Sequence, residues 1–389
     1  MIKSIKVMLV PNNKQKTKLF QYANTARFAY NWTLARENEN YKQGNRFLSD
    51  NELRKKFTQL KKTDEYKWLN DISNNVTKQA IKDGCDAYKK FFKGLSAYSR
   101  FKSKKKTKPS FYQDNCKIKF TDTHVKVEGV SSSKKQNKQK LNWIRLAEKG
   151  RIPIDVKYSN PRISFDGINW WISVGIEDNT VIQEPTNEGI GIDLGVKDLA
   201  ICSNRKTYTN INKTNKVKKL EKKKRRLQRQ ISRKYIINRK GGSYCKTCNI
   251  IKSEKELLKL NHRLTNIRHS YQLDVINDII DRKPKFITIE DLNINGMMKN
   301  KHLSKAVQQQ SLHRFTTILG YKCTWNGIEL RQVDRWYPSS KLCSCCGNVK
   351  RDLKLSDRTY ICEECGLVID RDYQASLNLR DATEYKVIT

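Results

Sequence analysis

Three acidic side chains, each at the end of a short structural element, are the residues whose types and spacing point to chemistry. Asp193 ends an apolar run that alternates as a strand does, so that Gly191 and Asp193 share one face. Glu290 ends a second apolar, β-branched run, and Asp372 lies in an acidic turn that enters a final helix. Carboxylates from three separate segments cluster only if cations offset their mutual repulsion.

Such a cluster is typical of a site where two divalent cations act on a phosphodiester. Ions about 3.5–4 Å apart orient a water and stabilise the leaving oxygen. Mg²⁺ fits, because it accepts oxygen ligands and keeps several waters. The space that Gly191 leaves beside Asp193 is predicted to take a metal ion and a phosphate. The competing interpretation is that the three acids are dispersed surface or turn residues, as we expect for Asp291.

Four cysteines are spaced as the ligands of a different metal ion. Cys343 and Cys346 form one C-x₂-C pair, Cys362 and Cys365 form another, and fifteen residues separate the pairs. This spacing is typical of a zinc ribbon with four thiolate ligands. Because four sulfur ligands leave no open position on zinc, one structural Zn²⁺ is predicted, with Cys345 as a bystander.

A further pair, Cys245 and Cys248, has no second pair at ribbon spacing. His262 and His269 are separated by six residues, outside the usual three to five. The sequence therefore leaves open whether this pair binds a second zinc ion. The chain has 11 cysteines, and this odd number argues against a complete disulfide framework.

The charge of the chain indicates a polyanionic partner. Among its 389 residues are 79 Lys and Arg against 39 Asp and Glu, which gives a net charge of +40. Nucleic acid is the leading partner, and a membrane surface comes second. The sequence has no run of about 18 apolar residues and no signal-peptide core at its start, so a soluble cytoplasmic protein is predicted.

The first half of the chain changes from strand to helix and back to strand. This order predicts a β-barrel-like domain with a helical insertion, and the polar stretch over 131–140 is predicted to be a mobile loop. Strands are predicted over 2–10, 117–120, 124–127, 161–165 and 170–176, and helical segments over 14–41, from Ser49 onward and over 68–92.

A strongly basic helical hairpin is predicted in the second half. Short strands over 200–203 and 206–209 follow the Asp193 strand. The stretch 213–240 then carries fourteen Lys or Arg residues and one acid, Glu221, and its apolar stripe matches that of 254–277. A basic helix can be merely solvated, but this excess favours a track for phosphates. The predicted phosphate contacts are Lys222, Lys223, Arg225, Arg226 and Arg229.

The motifs that contain these residues closely resemble those of the TnpB proteins of insertion sequences, the presumed ancestors of the compact type V CRISPR effectors. The likeness extends over nearly the whole chain. The matching motifs are Gly-Ile-Asp-Leu-Gly-Val-Lys at 191–197, Ile-Glu-Asp-Leu-Asn at 289–293, Tyr-Pro-Ser-Ser-Lys-Leu-Cys-Ser-Cys-Cys-Gly at 337–347, Asp-Arg-Asp-Tyr-Gln-Ala at 370–375, Arg-Phe-Ala-Tyr-Asn-Trp at 27–32 and Ala-Tyr-Lys-Lys-Phe-Phe at 87–92.

The resemblance implies a multidomain protein of α+β and α/β class. Its nuclease domain would have a RuvC-type RNase H fold, with Asp193, Glu290 and Asp372 as the catalytic triad. Where the family commonly has Asn two residues after the last acid, this chain has Gln374, and Asp370 is the alternative third acid. The implied domains are a wedge-like β-barrel (1–12 and 109–185), a helical recognition bundle (13–108), the nuclease domain (186–340 and 367–389, with the hairpin at 213–277) and an inserted zinc ribbon (341–366).

The implied function is RNA-guided DNA cleavage next to a short flanking motif, with two Mg²⁺ and one Zn²⁺ as cofactors. The partners would be a guide RNA from the transposon end and a double-stranded DNA target, in the cytoplasm of a bacterial or archaeal cell and associated with the nucleoid. The sequence leaves the oligomeric state open and favours a monomer. Lys78 and Gln79, at the start of a helix, are candidates to read the flanking motif, because Gln pairs with an adenine edge. The alternative for both is a solvated helix start.

Two rival functions remain at this point. One is a guide-independent, structure-selective nuclease of the RuvC type, whose core would look the same. The other is an RNA-guided repressor that binds DNA without cutting it. The presence of all three acids argues against the repressor.

Overall fold

The computed structural model describes residues 2–129, 141–178, 184–186, 188–354 and 357–388. Its contacts divide the chain into two compact units, residues 1–179 and 180–389. The mobile loop that the sequence predicts over 131–140 lies outside the described residues.

The first unit combines helices with a sheet that has seven strands in its described part, all paired antiparallel in the order β2-β6-β7-β1-β5-β4-β3. Because β2 and β3 stand at the two ends of this order, closure into a barrel stays a prediction. The strands are β1 (Ile2–Val10), β2 (Ser110–Tyr112), β3 (Lys119–Phe120), β4 (His124–Lys126), β5 (Trp143–Leu146), β6 (Tyr158–Phe165) and β7 (Trp170–Glu177).

The helices of this unit begin where side chains cap them. Ser49 and Glu52 form a capping box, which confirms the helix start predicted at Ser49. The helical pattern predicted over 68–92 is confirmed and is divided between two elements, because Ser73 caps a new helix after the 3-10 helix that ends at Asp71. The helices are α1 (Asn13–Lys42), α2 (Asp50–Leu60), a 3-10 helix (Asp64–Asp71) and α3 (Asn74–Phe92).

The second unit is built on a sheet whose described part has six strands in the order β10-β9-β8-β13-β14-β17. The strands β8, β13 and β14 run parallel, and the others pair antiparallel to their neighbours. The strands are β8 (Gly189–Leu194), β9 (Asp198–Cys202), β10 (Thr207–Thr209), β13 (Phe286–Glu290), β14 (Glu329–Val333) and β17 (Lys386–Val387), with small hairpins β11 (Arg239–Lys240) with β12 (Ser243–Tyr244) and β15 (Thr359–Ile361) with β16 (Val368–Asp370).

Helices cover this sheet and form the predicted hairpin. The apolar residues Ile192 and Ile289 pack in one core with helix residues such as Ile276 and Phe315. The helices are α4 (Asn215–Ile237), α5 (Cys248–Ile280), α6 (Ile294–Lys299), α7 (Ser304–Gln310), α8 (Leu312–Asn326) and α9 (Arg371–Arg380), with a 3-10 turn at Ile211–Lys213. No helix in the described part of the chain is long and apolar enough to cross a membrane.

The hairpin of α4 and α5 is antiparallel, as predicted. Lys234 Nζ donates to Ser253 Oγ at 2.8 Å near the tip, and Arg268 pairs with Glu221 at 2.8 Å nearer the base. Glu221, the one acid of the basic stretch 213–240, therefore forms its ion pair inside the hairpin. The positive charge on the outer face of α4 is left to solvent or to a partner.

Candidate functional site

Parallel pairing of β8 with β13 brings two of the predicted acids together. Thr288 lies opposite Gly191 and Ile289 lies opposite Ile192 in this pairing. The next residues in register are Asp193 and Glu290. Because parallel strands end at the same edge of a sheet, both carboxylates stand at one carboxyl edge, where α/β folds place their ligands.

Helix α9 carries the third acid to the same place. Asp370 caps α9 by accepting hydrogen bonds from the backbone N–H of Asp372, at 3.0 Å, and of Tyr373, at 2.9 Å. Its Oδ1 is therefore occupied by the helix terminus, although its charge still acts on Asp193. Asp372 lies one residue inside the helix, and its carboxylate takes no part in capping.

The close approach of α9 to β8 corrects one expectation. A Cβ atom at Gly191 would lie 2.0 Å from the carbonyl oxygen of Ser376 and 2.4 Å from the backbone nitrogen of Arg380. The space beside Gly191 is therefore filled by helix backbone, and the prediction that it takes a metal ion and a phosphate is wrong. Glycine is required here because α9 packs directly on the strand, which fixes Asp372 relative to Asp193.

Asp193 lies close enough to Glu290 and Asp372 for their charges to act on its carboxylate. Burial first, and then the charges of Glu290 and Asp372, raise the pKa of Asp193 to about 8. Its side chain retains a small exposed fraction at the sheet edge, although protein surrounds most of it. Burial also raises the pKa of Glu290, against the opposing effect of the Ser339 hydroxyl, which donates a hydrogen bond to Glu290 Oε1. A cation would relieve this accumulated negative charge.

Asp372 is held by two arginines. Its carboxylate accepts from the Arg371 guanidinium at 3.0 Å and from that of Arg358 at 3.5 Å. Among the described residues, one group of three or more possible metal ligands has all its ligand atoms within 4.8 Å of one another, and it is the cysteine cluster described below. The three carboxylates lie farther apart than that. An all-oxygen donor set of this kind suits Mg²⁺.

The raised pKa of Asp193 makes the stability of the protein depend on pH in Mg²⁺-free buffer. Its folded-state pKa of about 8 lies above the value of about 3.9 for an unfolded chain. Folding costs nothing at this residue below about pH 4, and the cost grows as the pH rises from about 4 to 8. We predict that Asp193→Asn raises the urea midpoint at about pH 8 and raises it much less at about pH 5.

The matched control for this measurement is Asp291→Asn. Asp291 is the neighbouring acid on the chain, and its carboxylate pairs with Arg335 at 2.8 Å instead of pointing into the site. This variant should show no comparable gain at the higher pH. Equal stabilisation by Asp193→Asn at both pH values would contradict the conclusion that the pKa of Asp193 is raised in the folded protein.

The four predicted zinc ligands lie together, as the sequence spacing predicts. Cys343 Sγ is 3.6 Å from Cys365 Sγ, and Cys346 Sγ is 3.5 Å from Cys362 Sγ. Tetrahedral zinc with Zn–S bonds of about 2.3 Å requires sulfurs about 3.8 Å apart. The donor set and its spacing therefore fit Zn²⁺.

The turns of the cluster have the geometry that the sequence predicts. Gly347 and Gly366, which follow the second cysteine of each pair, have φ values of 77° and 69°. The backbone N–H groups of Cys365 and Glu364 contribute to holding the pKa of the Cys362 thiol at about 6. Cys345 is exposed and lies outside the cluster, as expected of a bystander.

The pair Cys245 and Cys248 lies at the tip of the hairpin, and both side chains are exposed. In the part of the chain that the structure describes, no further His, Cys, Asp or Glu joins them as a three-ligand group. Among the described residues, the structure therefore adds no support for a second zinc ion at Cys245 and Cys248.

Hydrogen bonds join the cysteine cluster to the acidic site. Gln374 is fully buried; its amide donates to the carbonyl of Leu342 at 2.8 Å and accepts from Ser344 Oγ at 3.1 Å. Asn378 donates to the carbonyl oxygens of Leu342 and Ser339, both at 2.6 Å. Gln374, the departure from the family pattern, thus ties α9 to the first knuckle of the ribbon.

Sequence reasoning missed the residues that support the acids. Ser339, which donates a hydrogen bond to Glu290, lies in the Tyr-Pro-Ser-Ser motif. The sequence indicated the family through this motif but gave Ser339 no role. Arg358 had no sequence signal, because only the fold of the ribbon brings it to Asp372.

The candidate nucleic-acid contacts differ in their surroundings. The basic residues predicted on α4 are exposed along that helix, and Lys223 also pairs with Glu256 at 3.4 Å. Lys78 is exposed, whereas Gln79 is half-buried and donates to Asp83 at 2.9 Å. Asp83 is in turn bound by both terminal nitrogens of Arg162. The residues on α4 are Lys222, Lys223, Arg225, Arg226 and Arg229.

Three family models match separate segments of the chain. A model described as "Probable transposase" matches residues 172–301, which contain Asp193 and Glu290. A model described as "Cas12f1-like, TNB domain" matches residues 313–379, which contain the four clustered cysteines and Asp372. A "Helix-turn-helix domain" model matches residues 1–46.

Several curated proteins are similar along most of the chain. A Streptomyces pristinaespiralis protein named "Putative RNA-guided DNA endonuclease" is 29% identical over 381 residues, covering 97% of this chain and 88% of that protein. The Escherichia coli protein "Putative RNA-guided DNA endonuclease InsQ" is 26% identical over 394 residues, covering 97% and 91%. "TnpB-like protein L79" of Acanthamoeba polyphaga mimivirus is 31% identical over 206 residues, covering 49% of this chain and 36% of that protein.

Two solved structures share the fold. The chain in "Cryo-EM structure of the Cas12f1-sgRNA-target DNA complex" matches with a TM-score of 0.54 at 14% identity, covering 99% of both chains. The chain in "Structure of the mini-RNA-guided endonuclease CRISPR-Cas_phi3" matches with a TM-score of 0.50 at 10% identity, covering 98% of this chain and 92% of that one. At such low identity these matches establish the fold alone: a mixed α/β architecture like that of the compact Cas12 effectors.

Proposed function

This chain belongs to the TnpB family, and on that premise we propose that it is an RNA-guided DNA endonuclease that hydrolyses phosphodiesters at Asp193, Glu290 and Asp372. The observation that carries the assignment of the site is the convergence of three carboxylates from β8, β13 and α9 at one sheet edge. These segments are separated widely in sequence, so dispersed surface acids would not share one electrostatic environment.

We assign residues 186–340 and 367–389 to a RuvC-type RNase H domain. The support is the sheet order β10-β9-β8-β13-β14, in which two antiparallel pairings are followed by two parallel ones. The cysteine cluster lies within the proposed ribbon at 341–366, between the second and third acids. In the first unit, 13–108 holds helices α1 to α3 and is the proposed recognition bundle, while 1–12 and 109–185 form the proposed wedge.

The three acids would hold two Mg²⁺ ions, which supply activation of a water and stabilisation of the leaving oxygen when bound. The protein's own contribution is to place the ligands before the substrate arrives. Ser339 orients Glu290 through its hydrogen bond, and Arg371 and Arg358 hold Asp372. The partial burial of Asp193 limits solvent access and strengthens electrostatic interactions there.

The ribbon cysteines would hold one Zn²⁺ with a structural role. Four thiolates complete its coordination, so that ion offers no position to a substrate. Its effect on the reaction would be indirect, through Leu342 and Ser339, whose backbone carbonyls are bound by α9 side chains.

The exposed basic face of α4 is the proposed track for the phosphates of the guide RNA and its DNA target. Each lysine or arginine that neutralises a phosphate adds to the salt dependence of binding. For the flanking motif, Lys78 remains the more accessible candidate. Gln79 uses one amide N–H on Asp83, which leaves its carbonyl oxygen and its second N–H for a base.

The test is to express the gene with its native flanking DNA, from bacterial or archaeal cells, and to sequence the RNA that copurifies. We expect one RNA species from the transposon end, and cleavage that follows the guide segment when that segment is replaced. Cleavage that ignores the guide would identify a guide-independent nuclease instead. Guided binding without cleavage in Mg²⁺ would identify a repressor.

A further inference from the structure

An aromatic cavity lies in the first unit, and none of the catalytic, metal-binding or nucleic-acid-contact residues named above lines it. It has a volume of about 290 Å³ and is formed where the ends of α1 and α3 meet the segments that follow them. Its rim includes Tyr41, Phe92 and Tyr98, which are 78%, 64% and 52% exposed. Several large aromatic side chains left in water around one cavity indicate a binding site.

The rings around the cavity are held in place before any ligand binds. The hydroxyl groups of Tyr88 and Tyr98 both donate to Asn38 Oδ1, at 2.7 and 2.6 Å. Phe91 stands edge-on to Tyr98 with ring centroids 5.2 Å apart, and Phe92 stands edge-on to Phe47 at 5.9 Å. Fixed rings present a stacking surface that loses little entropy when a flat ligand binds.

One wall of the cavity contains an unsatisfied acceptor. Glu37 is only 3% exposed, and its Oε2 accepts from the backbone N–H of Leu48 at 3.2 Å. Its other oxygen, Oε1, is buried and accepts no hydrogen bond from any residue that the structure describes. A buried acceptor without a donor costs free energy, so a ligand that brings an N–H group would bind favourably.

The surface beside the cavity is basic. Lys89, Lys90 and Lys93 are exposed at the end of α3, next to Phe91 and Phe92. A flat ligand that carries phosphate on either side would find stacking, a hydrogen-bond acceptor and positive charge in one place.

We propose that this cavity binds one unpaired nucleotide of the guide RNA, with its base stacked on the aromatic rings and its amino group donating to Glu37. The proposal rests on the proposed function for the presence of that RNA. RNA is favoured over DNA because its loops and bulges offer unpaired bases, whereas a duplex base must first be unstacked. Adenine, cytosine and guanine carry an amino donor; uracil presents carbonyl oxygens beside its N–H, which repel a carboxylate.

The first test is ultraviolet cross-linking of the purified protein–RNA complex, with adducts located by mass spectrometry. We expect an RNA nucleotide other than uridine attached to Phe91, Phe92 or Tyr98. Adducts confined to other segments, or a DNA nucleotide at these rings, would overturn the proposal while leaving RNA guidance intact. A protein that neither copurifies with RNA nor binds it would overturn the proposed function as well.

The second test compares Phe92→Ala with a matched control, Phe101→Ala. Phe101 is 58% exposed in the same unit and does not line the cavity. Loss of one base–aromatic stack should weaken RNA binding by Phe92→Ala by about 5- to 150-fold. The affinity of Phe101→Ala for RNA should equal that of the wild type. Equal affinities for the two variants would refute the stacking role.

The third test addresses Glu37. Replacing the cross-linked nucleotide with uridine should weaken binding to the wild-type protein. In Glu37→Gln the amide oxygen keeps the bond from the Leu48 N–H and the amide NH₂ faces the base as a donor, so this variant should lose or reverse the preference against uridine. Discrimination that persists in this variant would remove Glu37 from base recognition.

Discussion

Asp193→Asn eliminates DNA cleavage, with a loss on the order of 10⁴-fold, and leaves binding of RNA and target DNA near the wild-type level. The reason is that the amide loses the negative charge with which Asp193 would bind the metal ions. Glu290→Gln should behave in the same way. The measurement is single-turnover cleavage in Mg²⁺, with binding measured separately on the same complexes.

Asp291→Asn is the matched control for both variants. Asp291 follows Glu290 directly, but its carboxylate pairs with Arg335 and lies 3.4 Å from the Gln332 amide. This control should cut at a rate near that of the wild type. A cleavage rate near wild type for Asp193→Asn, in contrast, would show that the acids are assigned wrongly.

Cys362→Ser releases the ribbon zinc and, through it, disables the nuclease site. Zinc binding in isolated peptides contributes about 10–16 kcal/mol to folding, so losing one thiolate should unfold the ribbon. The unfolded ribbon would remove Arg358 from Asp372 and Leu342 from Gln374. We expect metal analysis to find less than one zinc per chain, and cleavage to fall with the zinc content.

Cys345→Ser is the control for the ribbon, because Cys345 is an exposed cysteine outside the cluster. It should retain one zinc and normal cleavage. If Cys362→Ser also retained one tightly bound zinc per chain, the four-cysteine site would be wrong.

The residues whose positions the sequence predicts well are those with a local signal. Asp193 and Glu290 each end an apolar strand, and parallel strands with their ends at one edge bring such residues together without further information. The cysteine pairs likewise carry their spacing and their glycines in the sequence itself. Helix starts at Ser49 follow from capping chemistry in the same way.

The residues that sequence reasoning missed depend on contacts between distant segments. Gly191 appeared to leave room for a ligand, but the approach of Ser376 in α9 fills that room. Ser339 and Gln374 acquire their roles only when the ribbon packs on α9. The strand β5 was also missed, because four residues are too short a run to indicate a strand until they pair with β1 and β4.

The most direct test of the central claim, that the three carboxylates form one metal centre, is anomalous X-ray diffraction from crystals of the guide complex soaked in Mn²⁺. Mn²⁺ takes the oxygen ligands of Mg²⁺ and is visible by its anomalous signal. We predict anomalous density in contact with Asp193, Glu290 and Asp372 in the wild type, and its loss from this position in Asp193→Asn. Anomalous density that avoids Asp193, or that persists unchanged in Asp193→Asn, would contradict a metal centre at these three residues.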